Sequence, residues 1–229
     1  MTTTLRIDFV SDIACPWCAV GLGALERAIE RLEGQVHVEW HFQPFELNPH
    51  MPPGGQDLGE HLRQKYGSSP EQQARTRAVI SARGAEVGFQ FHPEGRGRVY
   101  NTFDAHRLLH WAGVEGKQGD QRALKKALLE AYQGRAECIE SHPVLLQAVA
   151  VAGLSTERAR EVLDSDAFAA EVREREQQYL AADIHAVPAI IINDEHLIQG
   201  GHPVEVFEAA LREIAGLDTR SGVEGAAAV

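Results

Sequence analysis

The sequence predicts a mixed α/β protein in which two outer segments build one sheet and a long helical segment lies between them. Three observations carry this. Within the first 43 residues, an alternating run, a run at helical spacing and a second alternating run follow one another. From about residue 56 to residue 183 the pattern is helical, with almost no strand signal. Strand character then returns at Ala189-Ile190-Ile191-Ile192, a short apolar run typical of a buried strand.

The first run sets Leu5, Ile7 and Phe9 against Arg6 and Asp8, the period of a strand. After Cys15-Pro16-Trp17-Cys18, the residues Leu22, Leu25, Ala28, Ile29 and Leu32 recur at helical spacing, and Gly34 offers a stop. Val36, Val38, Trp40 and Phe42 then alternate with Gln35, His37, Glu39 and His41, giving a second strand. Strand, helix, strand is the opening of a βαβ unit. Residues 48–55, rich in Pro and Gly, form a loop into the helical segment. There the patterning predicts helices at 58–66, 70–87, 101–113, 118–133, 143–152, 156–163 and 166–183, with a Gly-rich break at 89–98. Ser155 fits an N-cap for the sixth helix. Near the C-terminus, Asn193-Asp194 is a turn signal and residues 196–199 return as an antiparallel partner of 189–192. Gly200-Gly201 breaks the chain, and 203–214 reads as an amphipathic helix with Val206, Leu211 and Ile214 on one face. The expected organisation is a sheet domain whose first half is 1–50 and second half 184–216, an all-helical insertion at 51–183, and a disordered tail at 217–229. Periodic patterning excludes a structureless linker of that length.

Composition narrows the function. The chain has 229 residues, 44% of them hydrophobic, and a formal net charge of −11. That charge argues against general nucleic-acid binding and against adhesion to anionic membranes. No run of 18 apolar residues suggests a membrane span. Residues 1–14 lack a basic n-region, and Asp8 and Asp12 interrupt any apolar stretch, so no secretory signal is read there. The expectation is a reducing cytoplasm, where a Cys-x-x-Cys is more often catalytic than structural.

Cys15-Pro16-Trp17-Cys18 carries the chemistry. Two thiols one turn apart at a helix start form a redox pair, because the helix dipole favours the thiolate of the first. The thiolate attacks disulfides, and the second thiol closes an internal ring. Pro16 suits the first helical turn. Two other readings remain: a structural cysteine pair, and a zinc site with Cys138 and His142 as third and fourth ligands, which would join segments far apart in the chain. His106 and His110, at i and i+4, have a spacing that can bind zinc. No Glu follows His106, so packing or substrate contact is favoured. No metal and no cofactor is expected.

Together these residues resemble a thioredoxin fold of the DsbA type, and most nearly its cytosolic FrnE-like branch. Residues 12–21, Asp-Ile-Ala-Cys-Pro-Trp-Cys-Ala-Val-Gly, look like the active-site segment of that branch. Residues 101–107, Asn-Thr-Phe-Asp-Ala-His-Arg, look like its insertion motif, and Ala186-Val187-Pro188-Ala189 like its cis-proline segment. The likeness spans about residues 4–215. It implies a thioredoxin fold with the helical insertion between the βαβ half and a C-terminal ββα half, and a cis bond before Pro188 packed opposite the cysteines. Such a turn leaves Val187 backbone groups free to pair with an extended substrate.

The chain departs from the family pattern in places. The dipeptide is Pro-Trp rather than the Pro-His of strongly oxidising members, which implies a less depressed Cys15. No additional C-terminal cysteine pair is present. The insertion motif also resembles the hydroxychromene-carboxylate isomerases and kappa-class glutathione transferases, which typically carry serine at the position of Cys15.

The roles follow. Cys15 is the exposed nucleophile and Cys18 the buried resolving thiol. Pro16, Trp17, Asp12, Val187 and Pro188 support them. Trp17 offers an apolar face beside the sulfurs, and Asp12 or Asp8 is either a proton acceptor of raised pKa for Cys18 or a solvated acid. Asn101, His106 and His185 are candidate substrate-binding residues, and Cys138 an ordinary thiol. The function expected is thiol–disulfide exchange on protein or small-molecule disulfides, with glutathione one candidate partner and with no nucleic acid or membrane. A glutathione-dependent isomerase or transferase of small aromatic molecules, and a chaperone-like binding module, are the alternatives.

Overall fold

The alternation of the first segment produces strand β1 (Thr3–Ser11), and the periodic run after the cysteines produces helix α1 (Pro16–Glu30). Strand β2 (Val36–Pro44) returns parallel to β1, in register from Thr3 opposite Val36 to Ser11 opposite Pro44. These elements come from a computed structural model that describes residues 2–217. Apart from Leu217, the expected tail lies outside the described residues.

The C-terminal segment completes the sheet. Strand β5 (Ala189–Ile192) lies antiparallel to β1, β6 (His196–Gln199) antiparallel to β5, and the order is β2-β1-β5-β6. β1 is thus central. Successive side chains of a strand point to opposite faces. Leu5, Ile7 and Phe9 enter one apolar cluster, and Val10 another with Phe45, Ile184 and Ala189. Each fully buried Leu, Ile or Phe contributes about 1.5–3 kcal/mol. Helix α9 (Val204–Ile214) closes the fold against α1. Its core face is Val204, Phe207 and Leu211, not the Val206–Leu211–Ile214 face expected. Val206 is five residues from Leu211, about 140° around the helix, and is 44% exposed.

Between β2 and β5 lie α2 (Leu58–Tyr66), α3 (Pro70–Glu86), α4 (Phe103–Glu115), α5 (Asp120–Leu129), α6 (His142–Val151), α7 (Thr156–Leu163) and α8 (Ala169–Ala181). Ser155 caps α7, accepting from the Arg158 N–H at 3.2 Å. The insertion departs from the all-helical expectation at two points. Gln56–Asp57 (β3) and Arg98–Val99 (β4) pair as a short antiparallel ribbon, too brief for periodicity to signal. The expected helix at 118–133 ends at Leu129 and continues as one π-helical turn, Glu130–Gly134. Such turns recur at functional sites, and this one carries Gln133 to the cysteine loop. α4 and α5 lie along β2, so the insertion and the sheet share one apolar core. No helix among the described residues is long and apolar enough to cross a membrane.

Gly84 in α3 shows how tightly the insertion closes. A Cβ there would stand 2.5 Å from the Phe91 ring and 2.8 Å from the Phe89 carbonyl oxygen. Gly84→Ala is therefore expected to destabilise the protein by about 1–3 kcal/mol, measurable by denaturant unfolding. An unchanged midpoint would contradict this packing.

Candidate active site

The start of α1 sets the site. Cys15 is the N-cap, with φ −92° and ψ 113°, and its side chain makes no capping bond. Pro16 follows inside the first turn, which contains no acid. The N–H groups of the first turn and the positive end of the helix dipole therefore favour the Cys15 thiolate, against burial and the Asp12 charge, which work to raise it. Cys18, one turn on, points inward with Leu22 and Leu25 and is fully buried.

Across from them stands the Val187–Pro188 peptide, which is cis. The Cys15 thiol donates to the Val187 carbonyl oxygen at 3.4 Å. The Pro188 carbonyl accepts from the Gly200 N–H at 2.8 Å. Two glycines permit the close approach: a Cβ on Gly21 would lie 3.0 Å from Pro188 Cγ, and one on Gly201 3.0 Å from the Trp17 carbonyl oxygen.

The two thiols differ in acidity. The Cys18 thiol donating toward Cys15 pulls Cys15 below its ordinary value, against the effect of burial, and the Cys18 N–H and the Arg96 cation add to this. Cys18 is pushed well above its ordinary value by burial, and further by the hydrogen bond to Cys15 and the charge forming there. Of the two thiols, Cys15 is therefore the one that ionises first. Cys15 is not the exposed nucleophile expected: it is 5% exposed, because the insertion roofs it. It opens instead into a cavity of about 860 Å³, lined by Trp17 and Val187, by Leu62 of α2 and Ile80 of α3, and by Phe91 and Arg96 of the loop that follows. A larger groove of about 1060 Å³ runs along β2 but contains no thiol.

Asp12 is fully buried beneath the cysteine loop. It accepts from the Ala14 N–H at 3.0 Å and the Leu47 N–H at 2.7 Å. His106 Nε2 lies 3.5 Å from it, within ion-pair range but long for a hydrogen bond. Burial works to raise the carboxyl, but His106 and the two N–H groups outweigh it and hold Asp12 below the usual carboxylate value. This corrects both expectations: Asp12 is neither solvated nor a proton acceptor of raised pKa, but an anchor joining the cysteine loop to the chain after β2. Asp8, also buried, is held by Arg6 and Gln43.

Two of the three expected substrate-binding residues face elsewhere. The Asn101 side chain accepts from the Phe103 N–H at 2.9 Å and fixes the turn into α4. His106 is 1% exposed and braces Asp12. His185 does line the cavity, at an exposed position 3.1 Å from Asp183. His110 packs against the Phe168 ring, centroids 5.5 Å apart. Cys138 is half-buried beside Tyr100. Among the described residues no three His, Cys, Asp or Glu side chains converge as metal ligands.

Three residues escaped the sequence reading. Arg96 donates to the Ala14 carbonyl, and its guanidinium sits 4.9 Å from the centre of the Tyr132 ring. Gln133 donates to the Ile13 carbonyl at 2.8 Å. Lys125 of α5 is fully buried, and burial lowers its ammonium to about 8. Only Lys125 left a signal in the sequence: with Leu128 and Leu129 at i+3 and i+4, it sits on an apolar face.

Known proteins resemble this arrangement. Residues 6–212 match the model of the DSBA-like thioredoxin domain. The crystal structure of a probable DsbA oxidoreductase from Streptomyces coelicolor is 31% identical, with a TM-score of 0.84 over 97% of this chain and 94% of that one. The uncharacterized Bacillus subtilis protein YwbO is 27% identical over 92% of this chain and 97% of its own length. The cytosolic disulfide reductase DsbM from Pseudomonas aeruginosa, solved with GSH, shares the fold at 16% identity and a TM-score of 0.60, over 91% of this chain and 98% of that one. The chain belongs to the DsbA-like thioredoxin family.

Proposed function

We propose that this protein is a thiol–disulfide oxidoreductase in which Cys15 attacks and Cys18 resolves. One observation carries the reading: two thiols at one helix start are shifted in opposite directions, the lowered one opening into a cavity and the raised one sealed behind it. The Cys15 thiolate attacks one sulfur of a substrate disulfide and releases the other as a thiolate. Cys18 then attacks Cys15, frees the second substrate thiol, and leaves a Cys15–Cys18 disulfide. The substrate gains two electrons and the pair loses two. The reverse sequence oxidises a dithiol.

The Val187 backbone, 3.4 Å from the Cys15 sulfur, is placed to meet an extended substrate chain. The cavity is large enough for a small disulfide or for the cysteine end of a peptide. Glutathione is the proposed reductant; its presence in the DsbM structure supports this by analogy of fold alone. Trp17 lends the Cys15 side of the cavity an apolar wall. A cytoplasmic location, membership of the FrnE-like branch, and a division into sheet segments 1–50 and 184–216 around an insertion at 51–183 form part of the same proposal.

The test is equilibration across ratios of reduced to oxidised glutathione, with free thiols counted by alkylation and mass spectrometry. A single two-electron transition confined to Cys15 and Cys18 is expected. A stable glutathione adduct on Cys15 alone, with Cys18 a bystander, would favour glutathione-dependent isomerase or transferase chemistry instead.

A further inference from the structure

The cavity over Cys15 differs in charge from the rest of the molecule. The chain carries a formal net charge of −11, yet two guanidinium groups line the cavity, Arg77 of α3 and Arg96 of the loop after it, against a single carboxylate, Asp57. That carboxylate is engaged: it caps α2, accepting from the Glu60 N–H at 2.8 Å. The two arginines are held differently. Arg96 donates to the Ala14 carbonyl and lies against the Tyr132 ring, so it belongs to the frame of the cysteine loop. Arg77 is exposed, and its one hydrogen bond is a long 3.4 Å contact with the Glu94 carbonyl. Among the described residues no carboxylate lies within ion-pair distance of it. Its stem is nonetheless directed: a Cβ on Gly95, whose φ is +73°, would stand 3.2 Å from Arg77 Cδ, so the side chain lies along that turn. Of the histidines on the wall, His61 is taken up by Gln56 and His185 by Asp183. His92 keeps a buried Nδ1 with no partner.

We propose that the cavity selects disulfides that carry a carboxylate on an apolar or aromatic body, and that Arg77 is the residue that selects them. The inference rests on the redox reading above and names its substrate class. The rest of the wall is largely apolar, with Leu58, Leu62, Ile80 and Phe91 beyond Trp17. A volume of about 860 Å³ lies in the range of a site for one small ligand, about 300–1,000 Å³. A substrate whose sulfur meets Cys15 therefore has its body among these side chains and its acid at the rim, where Arg77 stands. A guanidinium presents a planar fork that takes a carboxylate through two parallel hydrogen bonds. In a cleft with apolar walls its field is stronger than on an open surface. The chemistry is unchanged: Cys15 sulfur bonds to one substrate sulfur, the disulfide breaks, and the electron pair leaves on the other sulfur. Arg77 binds and takes no part in that step. A polar peptide disulfide such as oxidised glutathione offers the carboxylates without the apolar body.

Stopped-flow rates of Cys15 attack on two aromatic disulfides separate charge from shape: dithiobis-nitrobenzoate carries two carboxylates, and dithiodipyridine carries none. Each rate is divided by that of 2-mercaptoethanol with the same disulfide, which removes the reactivity of the probe itself. The corrected ratio of anionic to neutral probe is expected to be at least about ten-fold at low salt and to fall as salt is added. Arg77→Gln is expected to lower that ratio about ten-fold. Arg77→Lys, which keeps the charge and loses the fork, is expected to recover part of it. Oxidised glutathione, followed by alkylation and mass spectrometry and corrected in the same way, is expected to react more slowly than the aromatic dianion. A corrected ratio near one in the unmodified protein, a measurement that needs no variant to fold, would overturn the proposal. So would an Arg77→Gln variant that slows both probes in parallel, because Arg77 would then support the thiolate rather than choose the substrate. Oxidised glutathione reacting as fast as the aromatic dianion would also overturn it, leaving the apolar body without a role. Failure of Cys15 to attack any of the three disulfides would instead overturn the redox reading itself, and this inference with it.

Discussion

Cys15→Ser is expected to reduce insulin-disulfide reduction to the uncatalysed background, while Cys18→Ser is expected to keep the first attack and accumulate mixed disulfides. The two cysteines are three residues apart, so the contrast comes from their surroundings. Cys15 stands at the N-cap, beside Arg96, with the Cys18 thiol donating toward it, and it opens into the cavity. A serine hydroxyl there remains protonated at neutral pH and is a poor nucleophile toward sulfur. Cys18 has no path to a substrate, so its loss spares the attack and removes only the release. Mass spectrometry of the Cys18→Ser protein after incubation with oxidised glutathione is expected to show one adduct, on Cys15. Full insulin reduction by Cys15→Ser would exclude the proposed reaction. A chaperone-like role gives a separable result: suppression of aggregation surviving in the Cys15/Cys18 double-serine variant would place binding by the cavity beside the chemistry.

What could be read in the sequence, and what could not, follows from the range of each signal. The strands at Leu5–Ile7–Phe9 and Val36–Phe42 and the helix behind Cys18 announce themselves because the alternation or helical spacing of their apolar residues is a local signal. The β3–β4 ribbon is two residues long on each side, below any period. The π turn at Glu130–Gly134 interrupts a helical pattern without changing which residues are apolar. Polar residues were harder still, because the partner of a polar side chain is set by the tertiary fold. Asn101 and His106 look like substrate ligands in the sequence, yet one caps a turn and the other braces a buried carboxylate. Asp12 was read either as a solvated acid or as an acceptor raised by burial; it is indeed buried, but two N–H groups and His106 reverse the sign. The cavity is assembled from α2, α3 and the loop after them, far in sequence from the cysteines it covers, so only the fold could reveal it.

Lys125→Met is expected to make the protein more stable, because the ammonium it removes is buried without a hydrogen-bond partner. The Lys125 ammonium is lowered from 10.5 to about 8, so between those values the unfolded chain binds more protons than the folded one. Stability therefore rises with pH across that window. The cost of the buried charge is fully present below about 8 and is relieved as pH approaches 10.5. At about 1.4 kcal/mol per unit, the shift corresponds to roughly 3 kcal/mol. Methionine fills a similar volume without a charge to desolvate. Below the window the variant is thus expected to exceed the parent by up to about 3 kcal/mol, or roughly 5–10 °C in Tm. Cys18 acts in the opposite sense: its raised thiol resists ionisation, so it withdraws stability as pH climbs past the unfolded thiol value. Subtracting the two unfolding curves cancels most of that effect. Denaturant unfolding of both proteins from about pH 6 to about pH 10 should show the advantage of methionine shrinking as pH rises. A variant less stable than its parent at the acid end would mean that the buried cation has a stabilising partner. A more stable variant would identify Lys125 as a buried charge held at the expense of the fold.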